Sequence, residues 1–153
     1  MTQQLVLDSP VGKLLLTSQN GKLSGLVFYR GQIQHSQKST CPILSLASKE
    51  LNLYFSGRLK KFSVPLDLTG TDFQLKAWKA LAKIPYGKTI SYSDQAKLLG
   101  SESAVRAIGS ANGKNPICII VPCHRVIAKD GSPGGYSGGL KIKKFLLELE
   151  SGY

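Results

Sequence analysis

Ile117-Cys118-Ile119-Ile120-Val121-Pro122-Cys123-His124-Arg125 is the stretch on which the reading of this chain turns. The β-branched run Ile117 to Val121 predicts a buried strand or an extended core segment. Cys118 lies inside that run and reads as a core residue. Pro122 then breaks the pattern, and Cys123 stands between it and His124. The thiolate is the reactive form of cysteine, and a neighbouring His and Arg favour it. In a regular strand His124 would point away from Cys123. A working Cys–His pair therefore needs a sharp turn here, which Pro122 can supply. The alternative is an ordinary buried thiol. A histidine base also needs an orienting group, and Glu150 near the end of the chain is the candidate.

Moving upstream, Asn115-Pro116 opens the run, and two short helices precede it. Ser91 to Leu99 ends in Gly100. A second helix, about Ala104 to Ala111, is capped by Ser101 or Ser103 and closed by Asn112-Gly113. Two short helices joined by a glycine-containing turn form a helix-turn-helix pattern, although any two packed helices can share it. Before them, Thr71 or Asp72 caps a helix whose apolar stripe is Phe73, Ala77, Leu81 and Ile84, with Trp78 beside it. Pro85-Tyr86-Gly87-Lys88 breaks that helix.

Moving downstream, Gly131 to Gly139 is a glycine-rich loop. It is either a linker or a backbone able to approach a flat ligand, with Tyr136 as an aromatic wall. The last helix shows Ile142, Phe145, Leu146 and Leu149 at helical spacing.

The N-terminal part has a different rhythm. Leu5-Val6-Leu7 and Leu14-Leu15-Leu16-Thr17 flank the turn Ser9-Pro10-Val11-Gly12, and Asn20-Gly21 is a strong hairpin signal before Leu23 to Tyr29. Residues 31–42 are polar and predict a loop, with His35 as a solvated member. Ile43, Ala47, Leu51, Tyr54 and Phe55 predict a helix with Gly57 at its C-terminal end. Phe62 to Leu66 predicts a short strand. Residues 67–71 mark a boundary, so the chain divides at 1–69 and 70–153. The fold class is α/β (α+β): a small N-terminal β-sheet/helix domain followed by a mainly helical C-terminal domain.

The bulk composition agrees with a folded chain. Its 153 residues are 42% hydrophobic and 19% charged, which excludes a disordered polymer. The net charge of +11 favours a polyanionic partner, either nucleic acid or an anionic membrane. Residues 1–69 hold eight Lys/Arg against three Asp/Glu, and residues 70–153 twelve against six. Charge alone therefore does not assign the partner to either half. Three cysteines (Cys41, Cys118, Cys123) and two histidines (His35, His124) suggest neither a disulfide framework nor a local metal site. The N-terminal residues lack a secretory pattern, and no apolar run is long enough to span a membrane. A reducing cytoplasmic location, with the nucleus as an alternative, follows from the free thiols.

Ile119-Ile120-Val121-Pro122-Cys123-His124-Arg125-Val126-Ile127 resembles the active-site signature of the O6-alkylguanine-DNA alkyltransferases, also called methylated-DNA–protein-cysteine methyltransferases. Ile84 to Tyr92, Val105 to Gly109, Asn115-Pro116, Gly135 to Leu140 and Leu146 to Glu150 recur in family order, so the resemblance spans residues 73–150. The N-terminal half resembles the family only in pattern and length, where the relatives carry a ribonuclease H-like domain.

The resemblance implies direct-reversal DNA repair. An alkyl group moves irreversibly from guanine O6 in duplex DNA to Cys123, once per molecule, after the base is flipped out. O4-alkylthymine is a further possible substrate. His124 would activate Cys123 through a water, and Glu150 would orient the histidine. Asn115 would shape the turn that positions the reactive segment. Tyr92 would hydrogen-bond the flipped base, and Arg106 would take its place in the stack from the minor groove. Tyr136 and Ser137 would line the pocket, and Arg125 would form a structural ion pair. The resemblance further implies a monomer. No cofactor is expected. Some relatives carry a zinc site in the N-terminal half, but Cys41 and His35 alone predict none here.

Three other readings compete. A non-catalytic helix-turn-helix protein that binds DNA lesions would not need Cys123, His124 and Glu150 together. A cysteine hydrolase would turn over many times. A thiol redox sensor would need a resolving cysteine, and none is evident close to Cys123.

Overall fold

The computed structural model describes residues 2–31 and 41–152, and the expected loop with His35 lies mostly outside them. The chain forms two compact units, Met1–Leu68 and Thr69–Tyr153.

In the first unit, β1 (Thr2–Ser9), β2 (Gly12–Gln19) and β3 (Lys22–Phe28) form an antiparallel meander. Asn20 and Gly21 take φ of 54° and 75°, as a two-residue hairpin requires for its twist to match the strands. Alternate side chains such as Leu14 and Leu16 are fully buried. Helix α1 (Pro42–Phe55) lays Leu44, Ala47, Leu51 and Tyr54 over that face. Each such leucine stabilises the unit by roughly 1.5–3 kcal/mol. Gly57, at φ 78°, ends the helix in the left-handed region, with its N–H on Tyr54 O.

Phe62 to Leu66 does not form the expected strand. Only Leu66 bridges Leu23, because Pro65 brings no N–H and the amides before it are taken by Glu50. The buried Glu50 carboxylate accepts from Ser63 N (3.0 Å), Ser63 Oγ (2.7 Å) and Val64 N (2.9 Å). A side chain here replaces a strand partner.

In the second unit, α2 (Asp72–Ala82) begins at a reciprocal capping box. Thr71 Oγ1 accepts from Gln74 N, and Gln74 Oε1 accepts from Thr71 N. After the two-residue strand β4 (Ile90–Ser91) come α3 (Tyr92–Leu98) and α4 (Val105–Gly113). Neither Ser101 nor Ser103 caps α4. Ala104 is its N-cap, without a side-chain bond, and Ala104 N–H turns back to Ser101 O.

A buried amide pair joins these helices. Gln95 Nε2 donates to Asn112 Oδ1 (3.0 Å), and Asn112 Nδ2 donates to Gln95 Oε1 (2.8 Å). Gln95 Nε2 also reaches Ala77 O on α2 (3.2 Å). The buried Trp78 Nε1 donates to Ala111 O (2.9 Å). Strand β5 (Val126–Ile127) pairs parallel with β4, and α5 (Leu140–Ser151) closes the unit.

The run Ile117 to Val121 is a buried turn and not an extended segment. Val121 N–H bonds Ile117 O, and Ile120 N–H bonds Cys118 O. Ile119 sits at φ 72°, a region that β-branched residues almost never adopt. Asn115 holds the turn in place. Its Nδ2 donates to Val121 O (2.7 Å), and its Oδ1 accepts from Ile117 N (3.0 Å). The strain persists because this side chain supplies the hydrogen bonds a neighbouring strand would otherwise offer.

Helix α5 is also rotated from its expected stripe. Its buried positions are Lys143, Leu146 and Glu150, while Phe145 is 36% exposed. Two ionisable side chains, Lys143 and Glu150, take core positions that the apolar stripe did not include.

Candidate active site

Residues Cys123–Arg125 form one turn of 3-10 helix directly after Pro122. This is the sharp bend that a Cys–His pair needs, since successive side chains no longer alternate across a strand. Cys123, 6% exposed, lines a cleft of about 420 Å³ together with Tyr92, Tyr136, Ser137, Gly135 and Gly109. His124 and Arg125 point into the protein instead.

Both inward side chains meet Glu150. His124 Nε2 lies 2.6 Å from Glu150 Oε2. A carboxylate only accepts, so Nε2 carries the hydrogen and Nδ1 is left as an acceptor with no partner among the described residues. Arg125 donates Nε to Glu150 Oε1 (2.8 Å) and Nη2 to Oε2 (3.0 Å), while Nη1 holds Ile84 O (2.7 Å). This is the ion pair expected for Arg125. Burial lowers the His124 pKa, against the opposing pull of Glu150. Burial thus favours the neutral imidazole, while Glu150 would stabilise it once protonated.

Cys123 experiences opposing influences. The neighbouring Cys118 thiol, then burial, hold its thiol well above the ordinary value. The Asn115 side chain and the Lys143 charge act the other way and favour the thiolate. Burial, then the nearby Cys123 charge, raise the Tyr92 pKa, so this hydroxyl keeps its proton and can donate it. The glycine loop passes close over Tyr92: a Cβ on Gly134 would stand 2.8 Å from the hydroxyl. Only glycine allows that approach.

Lys143 was not singled out by the sequence pattern. It is fully buried, with Nζ on Val126 O (2.6 Å) and Gly135 O (3.1 Å), and 5.8 Å from the Tyr92 ring centre. It ties the glycine loop to the segment after the reactive turn. Burial lowers its pKa to about 8. The one signal in the sequence was a lysine three residues before Leu146 and seven before Glu150, on one helical face.

The structure thus gathers Cys123, Tyr92, Tyr136 and Ser137 around one cleft, with Asn115, His124 and Glu150 behind it. Arg106 is not among the cleft residues. It is exposed on the first turn of α4. It shares a helical face with Gly109 and Gly113, three and seven residues on, which do line the cleft.

Comparison with known proteins places both units. Residues 72–152 match the 6-O-methylguanine DNA methyltransferase, DNA binding domain, and residues 4–68 match the ribonuclease-like domain of the same enzyme. The chain is 47% identical over 153 residues to the methylated-DNA–protein-cysteine methyltransferase of Mycobacterium bovis, covering 98% of this chain and 93% of that one. It is 44% identical over 149 residues to the Methanosarcina barkeri protein of the same name, covering 95% and 94%. Among solved structures, Mycobacterium tuberculosis OGT in complex with DNA superposes with a TM-score of 0.88 at 47% identity, covering 97% of this chain and 92% of that one. By both domains and by identity along nearly its whole length, this chain belongs to the 6-O-methylguanine DNA methyltransferase family.

Proposed function

We propose that this protein repairs duplex DNA by transferring an alkyl group from guanine O6 to Cys123, once per molecule. The observation that carries this reading is the buried Glu150–His124 pair, which leaves His124 Nδ1 free as an acceptor next to a cysteine that faces a cleft. His124 Nδ1 takes the Cys123 proton through a bridging water, and Glu150 steadies the imidazolium that forms. The sulfur then displaces guanine from the alkyl carbon. Negative charge develops on the purine, and the protonated Tyr92 hydroxyl supports it. The product thioether has no activated bond for water to cleave, so the protein is spent.

The lesion lies inside the duplex, so its base must be extruded into the cleft, with Tyr136 and Ser137 as walls. Arg106, exposed on the first turn of α4, enters the minor groove, where the negative potential is strong, and fills the vacated space with its stem. Asn115 fixes the reactive turn. The two compact units support a division into domains at 1–69 and 70–153. One copy of the chain carries every residue used, which supports a monomer, and a reducing cytoplasm would keep the thiol free.

The test is intact-protein mass spectrometry after mixing with excess duplex containing one O6-methylguanine, alongside Cys123→Ser. A single methyl adduct on Cys123, missing from the variant, is expected. DNA binding without any adduct would instead establish a non-catalytic lesion binder.

A further inference from the structure

Cys118 and Cys123 are five residues apart, and in an extended segment their α-carbons would be separated by roughly 17 Å. The buried turn brings them together. Val121 N–H returns to Ile117 O, Ile120 N–H to Cys118 O and Cys123 N–H to Val121 O. The two thiols lie near enough for each to shift the other's ionisation. Cys118 Sγ also lies 3.6 Å from Ser137 Oγ, and Ser137 and Cys123 line the same cleft. Cys118 is 2% exposed and is not among the residues that line the cleft. Alkyl transfer gives it no task. The sequence suggested no resolving cysteine near Cys123, and the turn supplies one.

We propose that Cys118 is a resolving thiol for Cys123, closing a Cys118–Cys123 disulfide when a peroxide enters the cleft and so holding the alkyl acceptor in a reversible, inactive form. In the first step the Cys123 sulfur attacks one peroxide oxygen. The O–O bond breaks, an S–O bond forms, and the departing hydroxide takes up a proton as water. In the second step the Cys118 sulfur attacks the Cys123 sulfur. The S–S bond forms, the S–O bond breaks, and the oxygen leaves as a second water with the Cys118 proton. Two thiols give up two electrons and one peroxide accepts them. A dithiol reductant reverses the change.

Without a resolving thiol, a sulfenic acid on Cys123 proceeds to sulfinic acid, which is not readily reversed. A single-use acceptor loses its whole capacity in that step. The bridge would close within a turn already holding Ile119 at φ 72°. A strained bridge is the readily reduced kind.

The proposal uses the nucleophile assigned above, but its first readout needs no DNA. The full chain is treated with equimolar hydrogen peroxide, blocked with iodoacetamide and digested with trypsin. The peptide Asn115 to Arg125 contains both thiols and excludes Cys41. The expected wild-type peptide is two hydrogens lighter and unlabelled, and dithiothreitol restores both thiols together with methyl acceptance. Cys118→Ala should form no bridge and gain oxygen on Cys123, with a loss of acceptance that dithiothreitol does not reverse. Cys118→Ser serves the same purpose if the alanine variant folds poorly. Wild-type peptide that gains oxygen without losing hydrogen overturns the proposal. So does reversible protection that persists in both variants, or a bridge to Cys41. A chain that forms the bridge but never accepts a methyl group would sink the repair reading and leave this one standing.

Discussion

The two units solve the burial problem in opposite ways. Among the described residues, nine polar or charged side chains are buried, and only Ser18 and Glu50 belong to the first unit. The other seven (Gln95, Asn112, Asn115, His124, Arg125, Lys143 and Glu150) belong to the second. The first unit is a hairpin sheet under one helix, with its backbone groups paired locally and leucines inside. The second accepts the desolvation of a carboxylate, a guanidinium, an ammonium and an imidazole in a small volume. Burying charge is costly unless it is paired and hydrogen-bonded. An arrangement so costly makes the second unit the candidate for the chemistry. Stability resides in both units, but reactivity should reside in one.

That contrast can be broken most sharply at Glu150. Glu150→Ala strands the buried Arg125 and removes the partner of His124, so it should cost about 3–5 kcal/mol of stability. It should also slow alkyl transfer by up to about 10²–10⁴-fold, the range a positioned base contributes. Chemical denaturation and single-turnover transfer measure the two losses, and a normal transfer rate would sever Glu150 from the reaction.

Glu50→Ala is the matching change in the first unit. It leaves the Ser63 and Val64 amides without their acceptor, at about 1–3 kcal/mol. Folded protein should still transfer a methyl group at the wild-type rate. A transfer defect at a temperature where the variant is folded would show that the first unit takes part in the chemistry.

A pH series sharpens the comparison further. Lys143 has a folded pKa of about 8 against an ordinary 10.5. Between those values the unfolded chain binds the proton that the folded chain has released. This group's contribution to stability therefore rises as pH increases from about 8 to 10.5, and below about 8 its burial counts against folding. Denaturant midpoints across that window should show the rise, and Lys143→Met should remove it.

The smallest effect is expected at Thr71→Ala. It removes one half of the capping box at α2 and should cost about 1 kcal/mol, with transfer unchanged. A larger loss would mean that the start of α2 supports more than its own first turn.

The parts of the fold legible from the sequence were those set by local rules. Asn20-Gly21 predicted its hairpin because few residues tolerate that backbone. Thr71 and Gln74 announced a helix start by their spacing. The misread parts were those where a side chain replaces a backbone partner. Ile117 to Val121 has strand composition, yet the two ends of the Asn115 amide hold it as a turn. Phe62 to Leu66 has strand composition too, but Glu50 takes its amides. Helix α5 followed the apolar periodicity only in part, because Lys143 and Glu150 compete for the core face through bonds that no hydrophobic pattern records. The pairing of His124 with Glu150, 26 residues away, was legible because a histidine base needs an orienting group and the end of the last helix offered one. The contact between Cys118 and Cys123 was not, since it depends on the turn that composition concealed.

Trp78 is the only tryptophan in the chain, and its indole N–H is bonded to Ala111 O near the end of α4. Indole emission responds to exactly such a bond and to the polarity around the ring. The protein thus carries an intrinsic optical gauge on the helix that bears Arg106. A spectral shift on mixing with duplex would report movement of that helix without any label, and a stopped-flow trace would time it against the appearance of the methyl adduct.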